Sequence, residues 1–172
     1  TSAQYLLLVT FGKEDIDRLL KKADVSYWGE NRPLILVWMT MTSLNHDTEI
    51  IDNDEAGTFL STMTTQAKKY GIPLIFPMMD VADIDQVTVN DVTSVSLPVL
   101  KAVGKRYAPD ALLVGNIQQE SDGYHSEWQL ILNENQWKWE ITDKSEDNLI
   151  STLINQVSQT LAKHYVVKAQ NA

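Results

Sequence analysis

Residues 111–142, ALLVGNIQQESDGYHSEWQLILNENQWKWEIT, set the fold of the second half of the chain. Ala111 to Gln119 is β-rich, and Asp122-Gly123 is a strong two-residue hairpin signal. Tyr124 to Leu132 returns, and Gln136 to Thr142 follows a second turn at Glu134-Asn135. These are three strands of an antiparallel meander. With the two turns so placed, Ile117 pairs with Trp128, Gly115 with Leu130 and Leu113 with Leu132. In the second hairpin Leu132 then pairs with Trp137, Leu130 with Trp139 and Trp128 with Ile141. Both turns select one apolar face, while Glu127, Gln129, Lys138 and Glu140 share the other. Gly115 leaves room beside Leu130 for a large neighbour such as Trp139 or a residue of the last helix. The strand 136–142 is expected at a sheet edge, protected by Lys138 and Glu140. A core Trp139 would cost about 3 to 5 kcal/mol on truncation to Ala.

Downstream, a helix starts near Ser145 with Glu146 and Asp147 in its first turn. It buries Leu149, Ile150, Leu153, Ile154, Val157 and Leu161, the natural cover for the meander. Ala169 to Ala172 should fray. Upstream, Tyr5 to Phe11 and Leu34 to Met41 are apolar runs with little alternation, as in strands covered on both faces. Between them Ile16, Leu19, Leu20 and Ala23 mark a helical face, with Glu14 and Asp15 at its positive end and Lys21 and Lys22 at its negative end. A second helix is predicted from about Asp54 to Tyr70, capped by Asp52 or Asn53 and stopped by Gly71 and Pro73, and Leu74 to Phe76 is the third strand. The stretch from Asp80 to Leu97 is β-branched and reads poorly, but a helix with Pro98 in its first turn follows it. The expectation is an α/β fold with α+β character in its C-terminal half. It has a mixed sheet in the order β-α-β-α-β-α-β-β-β-α, as one domain over residues 1–172.

The chain's 172 residues, 44% of them hydrophobic, suffice for a core without disulfide or metal. It has no cysteine, which removes disulfides, thiolate metal sites and a cysteine nucleophile together. Its net charge of -9 opposes binding to nucleic acid or to an anionic membrane surface. No apolar run approaches the roughly 18 residues of a spanning helix, so no direct membrane insertion is expected. Phosphate loops, dinucleotide fingerprints, HExxH helices and GxSxG elbows are missing.

If the first three strands are parallel, their carboxyl ends bring Gly12 to Asp15, the loop 42–54 and the loop 77–85 to one edge, where open sheets bind ligands. Asn45, His46, Asp47 and Glu49 lie on the middle loop, and Asp80, Asp83 and Asp85 on the third. His46, Asp47, Asp80 and Asp83 are therefore the candidate small-ligand or cation site, through their nitrogen and oxygen atoms. The competing reading is that these residues cap helices and make turns, Asp80 above all. No cofactor, resident metal or catalytic residue is expected. The five tryptophans could form a recognition platform, but large aromatics in strands are more often core, which leaves Trp28 in its loop as the exception. Arg32, just before a buried strand, is read as a clamp that stacks on Trp28 and pairs with a carboxylate such as Asp80.

Several short motifs lie along the chain: Trp28-Gly29 with Arg32-Pro33 before Val37-Trp38, Tyr70-Gly71-Ile72-Pro73-Leu74 with Pro77 and Asp80, Arg106-Tyr107 before Ala111 to Gly115, and Trp128. Together they resemble the bacterial domain-of-unknown-function family 2066, although Tyr70 stands where the family is often basic. The stretch from Arg106 to Gly115 is more distantly similar to the α/β domain of the amino-terminal part of TolB and of CsgG. The first resemblance implies an exported protein of the Gram-negative envelope, periplasmic or envelope-associated, of which this chain is a fragment lacking a leader and an upstream segment. It implies no activity. The leading expectation is a non-catalytic protein-interaction module with a protein partner, and the alternative is the small-ligand or cation-binding domain described above.

Overall fold

The computed structural model describes residues 8–23, 27–28, 32–51 and 57–167. The chain divides into two compact units, residues 1–31 with 161–172, and residues 32–160.

In the larger unit a mixed sheet is built on β2 (Ile35–Thr42), whose first six residues are all buried. β5 (Ala111–Glu120) runs parallel to it along its whole length, Ile35 opposite Ala111 through Thr42 opposite Gln118. On the other side β2 is shared: β4 (Leu74–Ile75) pairs parallel with its start, and β3 (Thr48–Ile50) pairs antiparallel with its end. β6 (Gly123–Leu132) and β7 (Asn135–Asp143) complete the order β3-β2-β5-β6-β7, with β7 at the edge. The α/β class, the mixed sheet, the meander and its edge strand are as the sequence indicates.

The meander registers differ from expectation by two residues in each hairpin. Glu120 pairs with Gly123 and Leu132 with Asn135, so the turns are Ser121-Asp122 and Asn133-Glu134. Each turn sits one residue earlier than its sequence signal. Gly123 is required for a different reason: a Cβ there would lie 2.6 Å from the Asp143 carbonyl oxygen. Asn133 supplies the left-handed conformation of the second turn, with φ 54°. A slip of two residues preserves the pleat, so the apolar face survives with new partners. Gly115 faces Trp128, Leu113 faces Leu130, and Trp128 faces Trp139.

Each sheet face has its own cover. On one, Leu36, Trp38, Leu112, Val114 and Ile131 join Val87, Val92, Leu100 and Val103 in one core. These four come from the segment of α3 (Val81–Ile84), α4 (Val89–Thr93) and α5 (Leu97–Gly104), where Thr88 and Asp91 form a capping box. The other face buries Ile35, Val37, Met39, Leu113, Ile117, Trp128, Leu130 and Leu132. Its cover is α2 (Gly57–Lys69) with α6 (Glu146–His164), whose expected stripe Leu149, Ile150, Leu153, Ile154, Val157 and Leu161 is fully buried. Phe59 of α2 meets Tyr124 of β6 edge-on at 6.3 Å. Thr62 donates to Asp147, and Asn155 to the Tyr70 hydroxyl, which ties α2 to α6. Trp38 and Trp128 are core, whereas Trp137 and Trp139 on the edge strand are only half-buried. The cost expected for Trp139→Ala belongs instead to Trp128.

The smaller unit holds α1 (Lys13–Lys22) at the expected place, with Ile16 and Leu19 exposed. β1 (Tyr27–Trp28) pairs antiparallel with β8 (Val166–Val167), and the Trp28 and Tyr165 rings stack at 6.4 Å. No strand forms at Leu8 to Phe11, where Leu8 and Phe11 are exposed; Tyr5 to Leu7 lie outside the described residues. That segment is apolar like a strand but gains no ladder. The caps proposed at Asp52 and Asn53, and the tail 169–172, also lie outside the described residues.

Candidate functional site

Two features of the larger unit concentrate chemistry, and the first is a charged clamp. Asp80 caps α3 from an extended conformation, accepting from the backbone N–H groups of Ala82 at 3.1 Å and Asp83 at 3.2 Å. Arg106, in the 3-10 turn Lys105–Tyr107 that follows α5, grips the same carboxylate with both arms, Nη2 to Oδ2 at 2.5 Å and Nη1 to Oδ1 at 2.9 Å. Nη1 also reaches Asp83 Oδ1 at 3.2 Å. Asp83 is fully buried, and its Oδ2 accepts from the Tyr107 hydroxyl and from the Met79 N–H at 3.1 Å. The Met78 N–H in turn donates to the Tyr107 hydroxyl at 2.9 Å.

The electrostatics follow from these bonds. Arg106, hydrogen-bonded to both oxygens, holds the Asp80 carboxyl down at about 2, against a smaller opposing effect of desolvation. Burial first, and the Asp83 carboxylate second, push the Tyr107 hydroxyl up, so it remains a protonated donor at neutral pH. Asp80 pushes the Arg106 guanidinium further up, keeping it charged. A buried carboxylate with three donors and a capping carboxylate with four hydrogen bonds form a closed network. Its evident work is to pin the loop 76–85 to the turn at 105–107.

The structure therefore brings Asp80 and Asp83 together and leaves His46 and Asp47 elsewhere. Residues 42–54 are no single loop, because Thr42 to Thr48 close a hairpin through the bonds of Ser43 and Asp47. His46 takes φ 66° in that turn, at the carboxyl end of β2. Asp80 and Asp83 are tied to residues just before Ala111, which pairs with Ile35 at the amino end of β2. Seven β2 positions separate these ends, about 23 Å at ~3.3 Å per residue. The one-edge arrangement expected of the loops 42–54 and 77–85 is thus corrected by β4, which pairs with the start of β2 instead of running beside its end. The guanidinium on Asp80 is that of Arg106, where the sequence suggested Arg32. Arg106 and Tyr107 formed the short motif that follows the one holding Asp80, which was the available signal. Among the described residues no group of three or more His, Asp or Glu side chains is placed to hold a metal ion. No helix among them is long and apolar enough to cross a membrane.

The second feature lies on the polar face that the sequence assigned to Glu127, Gln129, Lys138 and Glu140, but the sequence did not mark that face as a groove. On the face that α3 to α5 cover, the cover reaches Ile131 of β6 and no further, and the polar stretch of β6 and β7 beyond it is left open as a groove of about 780 Å³. Glu127, Gln129, Gln136, Lys138 and Glu140 line it on the sheet, and residues 93–97 form its wall. Asn116 fixes that wall, donating to the Thr93 carbonyl at 3.1 Å while accepting from Thr40 at 2.9 Å. Gln129 and Gln136 bond each other across the strands at 2.8 Å. Val95 in the wall has φ 52°, left-handed for a β-branched residue.

No family model matches the sequence, and no curated protein matches it. Solved structures with a similar chain path include lipoprotein GNA1162 from Neisseria meningitidis, 16% identical with a TM-score of 0.43, covering 76% of this chain and 99% of that one. The LpoB C-terminal domain from Salmonella enterica is 12% identical with a TM-score of 0.42, covering 76% and 93%. TolB from Acinetobacter baumannii is 14% identical with a TM-score of 0.38, covering 78% of this chain but 28% of its own.

Proposed function

We propose that the chain is a non-catalytic protein-binding module of the bacterial cell envelope and that the groove over β6 and β7 is its binding face. The observation that carries this reading is the uncovered sheet itself. A face that could have been closed by extending α4 or α5 is instead polar, open and flanked by a wall held in place by Asn116. The strained Val95 supports it, since left-handed β-branched residues persist where the surroundings over-determine them and cluster at functional positions. The envelope assignment rests on the motif resemblance between Trp28 and Trp128. The alternative, a small ligand or cation held by Asp80 and Asp83, would require carboxylates already satisfied by Arg106, Tyr107 and backbone donors to give up those bonds.

Photo-crosslinking tests the groove. A photoreactive side chain at Glu127, on the groove floor, is compared with one at Lys69, exposed on α2, in the full chain exported by a Gram-negative host. The expected result is a discrete adduct to another protein from position 127 and none from 69. Adducts from neither position, or equally from both, would remove the groove as the binding face.

A further inference from the structure

Among the described residues β7 pairs only with β6, which leaves one long side of it open. In a two-residue hairpin the residues flanking the turn exchange both backbone bonds. Leu132 and Asn135 are such a pair, so the odd-numbered residues of β7 turn their N–H and C=O groups toward β6. Ser126 agrees, since its hydroxyl donates to the Ile141 carbonyl at 3.0 Å and so fixes that group inward. The backbone groups on the open side therefore belong to Gln136, Lys138, Glu140 and Thr142. Any strand added there must bond to these four residues.

We propose that β7 pairs antiparallel with β7 of a second copy of this chain, about a two-fold axis through Trp139. Only even-numbered residues can meet even-numbered ones across this edge, because the others have their backbone groups facing β6. In the register centred on Trp139, Lys138 stands opposite Glu140 twice and Gln136 opposite Thr142 twice. A slip of two residues in one direction sets Lys138 against Lys138, and in the other Glu140 against Glu140, each a like-charge pair that destabilises a ladder. A slip of one residue leaves the edge groups unpaired. One register is thus selected by charge and backbone together, and it is self-complementary as a two-fold interface must be.

The present partners of these charges point the same way. Within the chain Glu140 faces Glu127 across the β6–β7 ladder, a like-charge pair, with His125 Nε2 at 3.8 Å. The second copy's Lys138 brings the missing opposite charge to Glu140. On the other face the half-buried Trp139 would meet its symmetry mate at a non-hydrogen-bonded pair, where Cα atoms approach to about 4.5 Å, and Trp137 would meet Ile141. Charged residues that deter unrelated apolar strands from this edge accept one strand, their own.

The test is sedimentation equilibrium of the full chain at about 150 mM salt, which screens the repulsion between two chains of charge -9. A reversible dimer is expected. Lys138→Glu and Glu140→Lys should each weaken it about tenfold or more, because every symmetric pair turns repulsive. The double variant carrying both changes should restore it, since Glu at 138 again meets Lys at 140. Glu140→Lys also replaces the internal Glu127–Glu140 repulsion by attraction, so its melting temperature should hold or rise while its dimer is lost; this separates association from folding. A chain that stays monomeric at ~0.5 mM, a dimer indifferent to the single changes, or a double variant no better than the singles would each overturn the proposal. The crosslinking result at Glu127 concerns the groove alone and can fail without affecting this one.

Discussion

Two residues show most sharply how much packing constrains this sequence. A Cβ on Gly115 would lie 2.2 Å from Cζ3 of Trp128, so the ring occupies the space that any side chain would need. Gly115→Ala should cost about 1 to 3 kcal/mol through overpacking, read as a lower urea midpoint at unchanged m-value. Combining it with Trp128→Leu should cost less than the two changes added, because the smaller side chain vacates that space. The sequence did show why Gly115 is glycine, namely room for a large neighbour. It assigned the wrong tryptophan because the pairing partner depends on register. Asp83 is the second case. Its carboxylate is fully buried and accepts from Tyr107, Met79 and Arg106, so Asp83→Ala strands three donors at once. A loss of about 2 to 4 kcal/mol is expected in the same urea measurement, with Asp83→Asn milder because one acceptor oxygen remains. Nothing in the sequence signalled that Asp83 would be buried and Asp85 exposed.

At the scale of elements, the second half was legible because its turns are local and its pleat has a period of two. The α6 stripe, the shared apolar face and the edge position of β7 all follow from that period. The first half was less legible because its ladders are short or absent. β3 and β4 have three and two residues, too few to show alternation, and the apolar segment Leu8 to Phe11 joins no sheet. The helices α3 and α4 were obscured by β-branched Val and Thr, although Thr88 three residues before Asp91 is a capping-box spacing. The Asp80–Arg106 clamp joins these elements to the turn after α5 and makes their anchoring depend on pH. Asp80 titrates at about 2 in the folded chain against an ordinary value of 3.8, so the unfolded chain binds the proton first as pH falls. Stability from the clamp is therefore complete above about pH 4 and declines as pH drops through about 2. Asp80→Asn should lower the melting temperature at neutral pH and flatten its fall between these limits. A fall of unchanged steepness in that variant would assign the acid sensitivity to other carboxylates.

Over the whole molecule the decisive quantity is charge, because 23 acidic residues outnumber 14 basic ones. Nucleic acid binding draws most of its non-specific affinity from cations placed on phosphates, which release counterions. The fold could have gathered its few cations into one patch, so the sequence total does not decide the matter alone. Their placement bears on it too, and α1 interleaves Lys13, Arg18, Lys21 and Lys22 with Glu14, Asp15 and Asp17. Lys101 and Lys105 are exposed one helical turn apart, and Arg106 adjoins them, which makes this a local concentration of positive charge. Arg106, however, is bonded to Asp80 and Asp83 and brings two carboxylates to the same place. Lys69 is engaged with Gln66 on the far layer, and Lys138 lies beside Glu127 and Glu140 in the groove. About two free cations on one surface would give a salt slope near -2 at most, against the 6 to 10 phosphate contacts of typical binders. Fluorescence anisotropy with labelled single- and double-stranded DNA and RNA should therefore show no complex at about 150 mM salt, and only weak association at about 50 mM. A tight complex with a steep salt dependence would mean that other cations of the chain, such as those of α1, combine into a surface strong enough to overcome the net charge of -9.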